Sequence, residues 1–238
     1  MVFNDTYIPR ITDRGRDGKL LPGAVLCIME DLAYRHCAAA DDDVLKNSLA
    51  GVAWICLNWR IGVRGAAPED GRLDVSTWSR KRAGLTTVLR EFSVRDAAGN
   101  DIIAAEARFA LWDIKAGTPV KITDELIAAY RSEDRPVFQD EIKRLIPPEE
   151  YSSSASVALR GSDIDYNGHV HNTRYLDIAS EGAGGFFDFW GAKEINIAYR
   201  KPVEEGDRVS VSRAETAAGR FFSINNQDGP CCFIELKM

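Results

Sequence analysis

Histidine and methionine are scarce in this sequence, three of each in 238 residues. No apolar run approaches the roughly 18 residues that a membrane-crossing helix needs, so no membrane span is expected. The five cysteines (Cys27, Cys37, Cys56, Cys231 and Cys232) are an odd number with no C-x-x-C spacing. That pattern reads as reduced, mostly buried thiols in a cytoplasmic protein. Cys231 and Cys232 are adjacent, and neighbours on a strand face opposite ways, so they are not expected to share a metal. There is no basic excess either. Lys and Arg number 30 against 36 Asp and Glu, for a net charge of −6, which argues against a nucleic-acid-binding surface. The first residues lack the basic, apolar, small-residue order of a secretory leader, and none is expected.

What is present reads as an ordinary globular chain, 45% apolar and 28% charged. Its length allows one large domain or two of about 110–120 residues. Between Leu21 and Ala40, apolar residues fall at Val25, Leu26, Ile28, Met29, Leu32, Ala33 and Cys37, the spacing of an amphipathic helix. Strand patterns follow over 51–63, 72–82, 85–96 and 102–114, with turn residues between them that predict antiparallel hairpins. From 115 to 150 the character changes. Two charged stretches, "ITDELIAAYRSED" and "FQDEIKRLIP", predict short helices in a connector.

The remainder replays the first part. A strand over 151–163 leads into a helical pattern over 172–191. "EINIAYRKPVEEGDRVSVSRAE" then repeats the strand, acidic glycine turn and strand of "LNWRIGVRGAAPEDGRLDVSTW". Gly71 and Gly206 are the corresponding turn glycines of the two copies. This duplication predicts an N-terminal repeat over 1–114, a connector over 115–150 and a C-terminal repeat over 151–238. Each repeat would be an α+β unit, one long helix covered by an antiparallel sheet.

Chemistry concentrates in "DIDYNGHVHNTRYLD", residues 163–177, which holds two of the three histidines. Asp165, Asn167 and His169 occupy alternate positions. In an extended segment they would share one face, aiming a carboxylate, an amide and an imidazole at one place. A carboxylate can act as nucleophile or base, an amide can donate to an oxyanion, and an imidazole can do either near neutral pH. Amides at a helix start near His171–Thr173 would add oxyanion donors. Each residue also has a plainer reading. Asp165 and Asn172 suit a turn and a helix cap, Asp163 orders the loop, and His171 reads as structural or peripheral.

The motif "SDIDYNGHVHNTRYLDIASEG" closely resembles the signature of acyl-acyl-carrier-protein thioesterases, the plant-type enzymes and their bacterial relatives. Asp163, Asp165, Asn167, His169, Val170, Asn172, Tyr175 and Glu181 fall in place. The resemblance implies a tandem (double) hotdog fold and hydrolysis of an acyl-acyl-carrier-protein to a free fatty acid and the holo carrier. It implies no metal and no organic cofactor. Site residues implied are Asp165, Asn167 and His169, with Glu181 as a further carboxylate. One departure stands out. The plant-type enzymes carry a Glu in a Y-x-x-E pattern after the corresponding strand, where this chain has Pro202, followed by Glu204 and Glu205 in an acidic turn. "KPVEEGD" instead looks like single-hotdog acyl-CoA thioesterases of the hydroxybenzoyl-CoA type, so coenzyme A stays open as the carrier, as does a non-hydrolytic acyl-binding module. The resemblance gives the second repeat the site and the first an acyl tunnel, for which Val25, Met29, Leu32, Trp54, Leu57 and Trp59 are candidates. Arg60, Arg64, Arg80, Lys81, Arg82, Arg174, Arg200 and Lys201 could form a positive rim for a phosphate-bearing carrier. A monomer or a homodimer is compatible with an internal duplication.

Overall fold

The structure, a computed structural model, describes every residue except Ala67, Glu69, Asp70, Gly185 and Phe186; the side chains of Lys81 and Arg82, two of the rim candidates, also lie outside the described residues. Helix α1 spans Pro22–Ala39 and starts on its proline, at a position where a missing N–H breaks no helical bond. The apolar stripe from Val25 to Cys37 is buried against the sheet, as its spacing predicts. Burying each large aliphatic side chain contributes about 1.5–3 kcal/mol.

Strands β1 (Phe3–Tyr7), β2 (Val52–Val63), β3 (Leu73–Arg82), β4 (Thr87–Arg95) and β5 (Asp101–Asp113) belong to the first half. The short β6 (Thr118–Pro119) pairs with the end of β5. The second half contributes β7 (Ser153–Val157), β8 (Glu194–Tyr199), β9 (Val209–Thr216), β10 (Gly219–Asn226) and β11 (Gly229–Lys237). All pair antiparallel in the order β1-β3-β4-β5-β2-β8-β11-β10-β9-β7. Outward from the centre, the two halves show the same succession. The seam is the β2–β8 pair, with Trp59 opposite Ile197. Gly71 and Gly206 both adopt left-handed backbone, φ +87° and +91°, so the corresponding glycines of the two copies share a conformation that favours glycine. This is the tandem hotdog architecture that the sequence led us to expect.

Two expectations need correction. The second helix, α4, spans only Arg174–Gly182, half the length of α1, although the helical pattern of the sequence runs to 191. Gly182 lies so close to β9 that an added Cβ would sit 2.4 Å from the Val211 Cβ, and Gly184 is left-handed at φ +59°. Close packing and a left-handed residue end the helix there. In the connector, only Asp124–Ala129 is helical (α3), capped by Thr123. "FQDEIKRLIP" forms no helix; Pro136, Pro147 and Pro148 bracket it. Residues 135–140 instead lie on the outer face of the sheet. Arg135 stacks on Trp78, whose indole donates to the Arg135 carbonyl (2.9 Å). The Val137 carbonyl accepts from Arg64 (3.1 Å), and Arg60 covers the Phe138 ring and reaches Asp140 (2.9 Å). A further short helix, α2 (Val44–Leu49), follows α1, capped by Asp43.

Candidate active site

Residues 163–171 form a tight hairpin. A short 3-10 turn over Gly161–Asp163 leads in, and the Asp163 carboxylate accepts the Arg160 N–H (2.9 Å). Ile164 pairs with Val170 across the hairpin. At its tip the Asp165 carbonyl accepts from Gly168 N–H (3.0 Å), and Gly168 is left-handed at φ +81°. The first repeat builds the same object around Gly18. Arg14 pairs with Leu20, Gly15 C=O accepts from Gly18 N–H (3.0 Å), and Gly18 has φ +76°. With Gly18 matched to Gly168, Gly15 stands for Asp165, Asp17 for Asn167, Lys19 for His169 and Leu21 for His171. The backbone device is duplicated; the set of Asp, Asn and His side chains is not.

The hairpin corrects the geometric premise drawn from the sequence. The D-x-N-x-H segment is not extended, so Asp165, Asn167 and His169 do not share a strand face. Asp165 and Asn167 come together because the Asp165 Oδ1 accepts the Asn167 N–H (2.8 Å), an Asx turn, as well as the His169 N–H (3.2 Å). Oδ2 carries no hydrogen bond among the described residues. Tyr175 and Tyr199 fix the exit: the Tyr175 hydroxyl accepts the Val203 N–H (3.0 Å), and Tyr199 donates to the Asn172 carbonyl (2.9 Å).

Asp165, Asn167, His171 and Asn172 line a cavity of about 610 Å³, within the range of small-molecule sites. Its other walls come mainly from the first half and the connector. Helix α1 contributes Glu30, Ala33 and Tyr34, and apolar side chains such as Val44, Trp54, Val88, Phe109 and Leu126 line the interior. Tyr166, 66% exposed at the hairpin tip, reaches across to Ser48 of α2 (3.5 Å). Of the six tunnel candidates only Trp54 lines the cavity; Val25, Met29, Leu32 and Trp59 are sealed in the core.

His169 and Glu181 do not line the cavity. His169 is half-buried past the turn, and its backbone bridges Glu204. Glu181 is exposed on α4, where its charge falls near Arg160. Glu204 and Glu205, beyond Pro202, are exposed in a turn that Asp207 caps. Two carboxylates of α1 line the cavity with Asp165: Asp31, paired with Arg35 (3.1 Å), and Glu30, whose Oε2 lies 3.5 Å from His171 Nδ1. Sequence reasoning missed Glu30 and set His171 aside. The available signal was a charge at the edge of the stripe Leu26, Ala33, Cys37, at i−4, i+3 and i+7. Burial pushes the Glu30 carboxyl above its usual value; His171 opposes this and Asp165 adds to it. Of the rim candidates, Arg60 is tied to Glu194 (2.8 Å) and Arg80 to Glu91 (3.2 Å), whereas Arg200 is exposed.

Comparison with known proteins agrees with this architecture. The chain is 22% identical over 234 residues to a chloroplastic palmitoyl-acyl carrier protein thioesterase of Arabidopsis thaliana, covering 91% of this chain and 55% of that protein. It spans about half the length of the curated relatives that it matches. Two solved structures share the fold. A 12:0-ACP thioesterase from Umbellularia californica superposes with a TM-score of 0.85 at 18% identity, over 99% of this chain and 96% of that one. An acyl-ACP thioesterase from Bacteroides thetaiotaomicron gives 0.84 at 17%, over 99% and 97%. The family model for the acyl-ACP thioesterase N-terminal domain matches residues 1–130, and that for the C-terminal domain matches 147–231. With both halves matched in order along one chain, this protein belongs to the acyl-ACP thioesterase family.

Proposed function

We propose that the protein hydrolyses acyl-acyl-carrier-protein to a free fatty acid and the holo carrier. The observation that carries this reading is the Asp165 carboxylate. Two backbone amides hold one oxygen, the other has no hydrogen bond among the described residues, and the group lines a largely apolar cavity. In this reading Asp165 activates a water at the thioester carbonyl. The Asn167 amide donates to the oxygen on which charge develops, an electrostatic contribution that counts for most where water is excluded. The acyl chain occupies the cavity walled by α1, α2 and the first-half strands. The named substrates of the relatives support the carrier assignment. We place the protein in the cytoplasm on its five free thiols, four of them buried. No helix among the described residues is long and apolar enough to cross a membrane.

The test is thiol release from matched acyl-carrier-protein and acyl-CoA substrates. Faster turnover of the carrier-protein substrate is expected. Preference for acyl-CoA would move the assignment to an acyl-CoA thioesterase on the same fold, and tight binding without thiol release would make the chain an acyl-binding module. Light scattering during the same preparation distinguishes a monomer from a homodimer.

A further inference from the structure

Glu30 is a carboxylate that the first repeat sends into a site built by the second. Its Oε2 is buried and makes no hydrogen bond among the described residues. An ionised carboxylate in that condition is costly unless a nearby cation or a proton compensates it. The group that faces it is His171, Nδ1 to Oε2 3.5 Å. The same nitrogen is held by Thr173 as well. Nδ1 lies 3.0 Å from the Thr173 hydroxyl and 3.4 Å from the Thr173 N–H, and Thr173 Oγ1 in turn accepts from the Cys27 thiol (3.3 Å). Both repeats therefore fix one edge of this imidazole. The ring nitrogen left over, Nε2, has no protein partner among the described residues.

The arrangement is confined to one end of the molecule. Where α1 meets α4, the Gly23 N–H donates to Asp177 Oδ1 (3.1 Å) and Cys27 donates to Thr173. The offset that carries Gly18 to Gly168 also carries Gly23 to Thr173 and Cys27 to Asp177, so the internal two-fold exchanges these two contacts. The same operation carries Glu30 to Ser180 and brings His171 back to Leu21. Neither of those titrates near neutral pH. The acid–imidazole pair thus occurs where Asp165 replaces Gly15, and its counterpart is absent at the equivalent place.

We infer that Glu30 is the positioning carboxylate of this site: its charge, 3.5 Å from Nδ1, stabilises the protonated His171 ring, so that Nε2–H delivers the proton to the departing thiolate. This rests on the reading of the chain as a thioester hydrolase. The step balances. Asp165 takes a proton from water as the water oxygen bonds to the carbonyl carbon. When the intermediate collapses, the C–S bond breaks, its electron pair goes to sulfur, and sulfur takes the Nε2 proton. The proton on Asp165 then reloads the Glu30–His171 pair, and the carboxylic acid product releases its own proton to solvent. One water and one thioester give one acid and one thiol. Other charged or titratable groups round the pair are Cys27 and Asp31 on α1, Arg174 and Asp177 on α4, and Cys56 and Tyr199 on β2 and β8.

The experiment compares wild type, Glu30→Gln, Glu30→Asp, His171→Asn and the Glu30→Gln/His171→Asn double variant. Readouts are kcat and KM across pH, and long-range 1H–15N spectra of the histidine rings, with His171 identified by its loss in His171→Asn. Glu30→Gln is expected to lower kcat about 10- to 100-fold with KM within about twofold, and to move the alkaline limb of kcat to lower pH. It should also alter the His171 ring-nitrogen signals. Glu30→Asp should recover part of the activity, and the double variant should lose little beyond either single change. An active wild type whose Glu30→Gln variant keeps the same kcat and pH profile overturns the inference. So does loss of activity with unaltered His171 signals. A wild type that releases no thiol from either carrier overturns the hydrolase reading, and the proton delivery with it, whatever the ring signals show.

Discussion

Glu91 and Glu106 stand directly opposite each other on β4 and β5, both almost wholly buried beneath residues 135–140. Like charges in that register are destabilising. Glu91 is supported by Arg80 (3.2 Å) and by the Val137 N–H (3.1 Å), whereas Glu106 Oε1 has no hydrogen-bond partner among the described residues. Burial first, and then Glu91, pushes the Glu106 carboxyl from 4.5 up to about 7, against the pull of Arg60, Arg80 and Arg108.

A folded-state value above the unfolded one means that the native protein binds more protons between about pH 4.5 and 7. This site therefore favours folding most below that window, and the advantage is lost as pH rises through it. At about 1.4 kcal/mol per unit, the change is at most on the order of 3 kcal/mol. Glu106→Gln is expected to raise the melting temperature at pH 8 more than at pH 5. Thermal melts at both values check this; an equal change at both would leave the repulsion without consequence.

Asp165→Asn keeps an Oδ1 acceptor for the Asn167 and His169 amides, so the hairpin should survive. Hydrolysis should fall by about 10²–10⁴-fold, the usual worth of a positioned base. Wild-type turnover in a folded variant would reject the assignment. Circular dichroism and thiol release on one preparation measure both.

The two imidazoles of the motif separate by mutation. His171 lines the cavity and His169 does not, so His171→Asn should cost more in kcat than His169→Asn. Glu181 is exposed on α4, and Glu181→Gln should stay within about twofold of wild type. Steady-state kinetics on the three variants decide it; a large loss at Glu181 would return that carboxylate to the site.

Gly182→Ala would push a methyl group to 2.4 Å from the Val211 Cβ. Overpacking of this kind costs typically about 1–3 kcal/mol, read as a lower denaturation midpoint with an unchanged slope. Gly99→Ala is a useful contrast. Nothing lies within 4 Å of its added carbon, yet φ +86° still strains it, so any loss there comes from the backbone alone.

Much of this architecture was legible without coordinates. The spacing from Val25 to Cys37 determined α1, and runs of β-branched and aromatic residues between glycine turns determined the strands. Gly71 and Gly206 marked the repeat, because only local periodicity and turn chemistry were needed. The shortness of α4 was not legible: Gly182 ends that helix through a contact with Val211, which belongs to a different element, β9. Nor was the loss of helix in "FQDEIKRLIP", whose stretch from Phe138 to Asp140 lies against Arg60, distant in sequence.

The motif singled out residue types suited to the chemistry, and two of them, Asp165 and Asn167, line the cavity. The sequence by itself determined the fold, the duplication and the carboxylate–amide pair, since these follow from patterns within a few residues. Only the tertiary structure decided which imidazole faces the cavity and which carboxylates of α1 join it. A hairpin turn overrides strand alternation at His169, and the pairing of α1 with α4 brings Glu30 of the first repeat to His171 of the second, a meeting that no local pattern encodes.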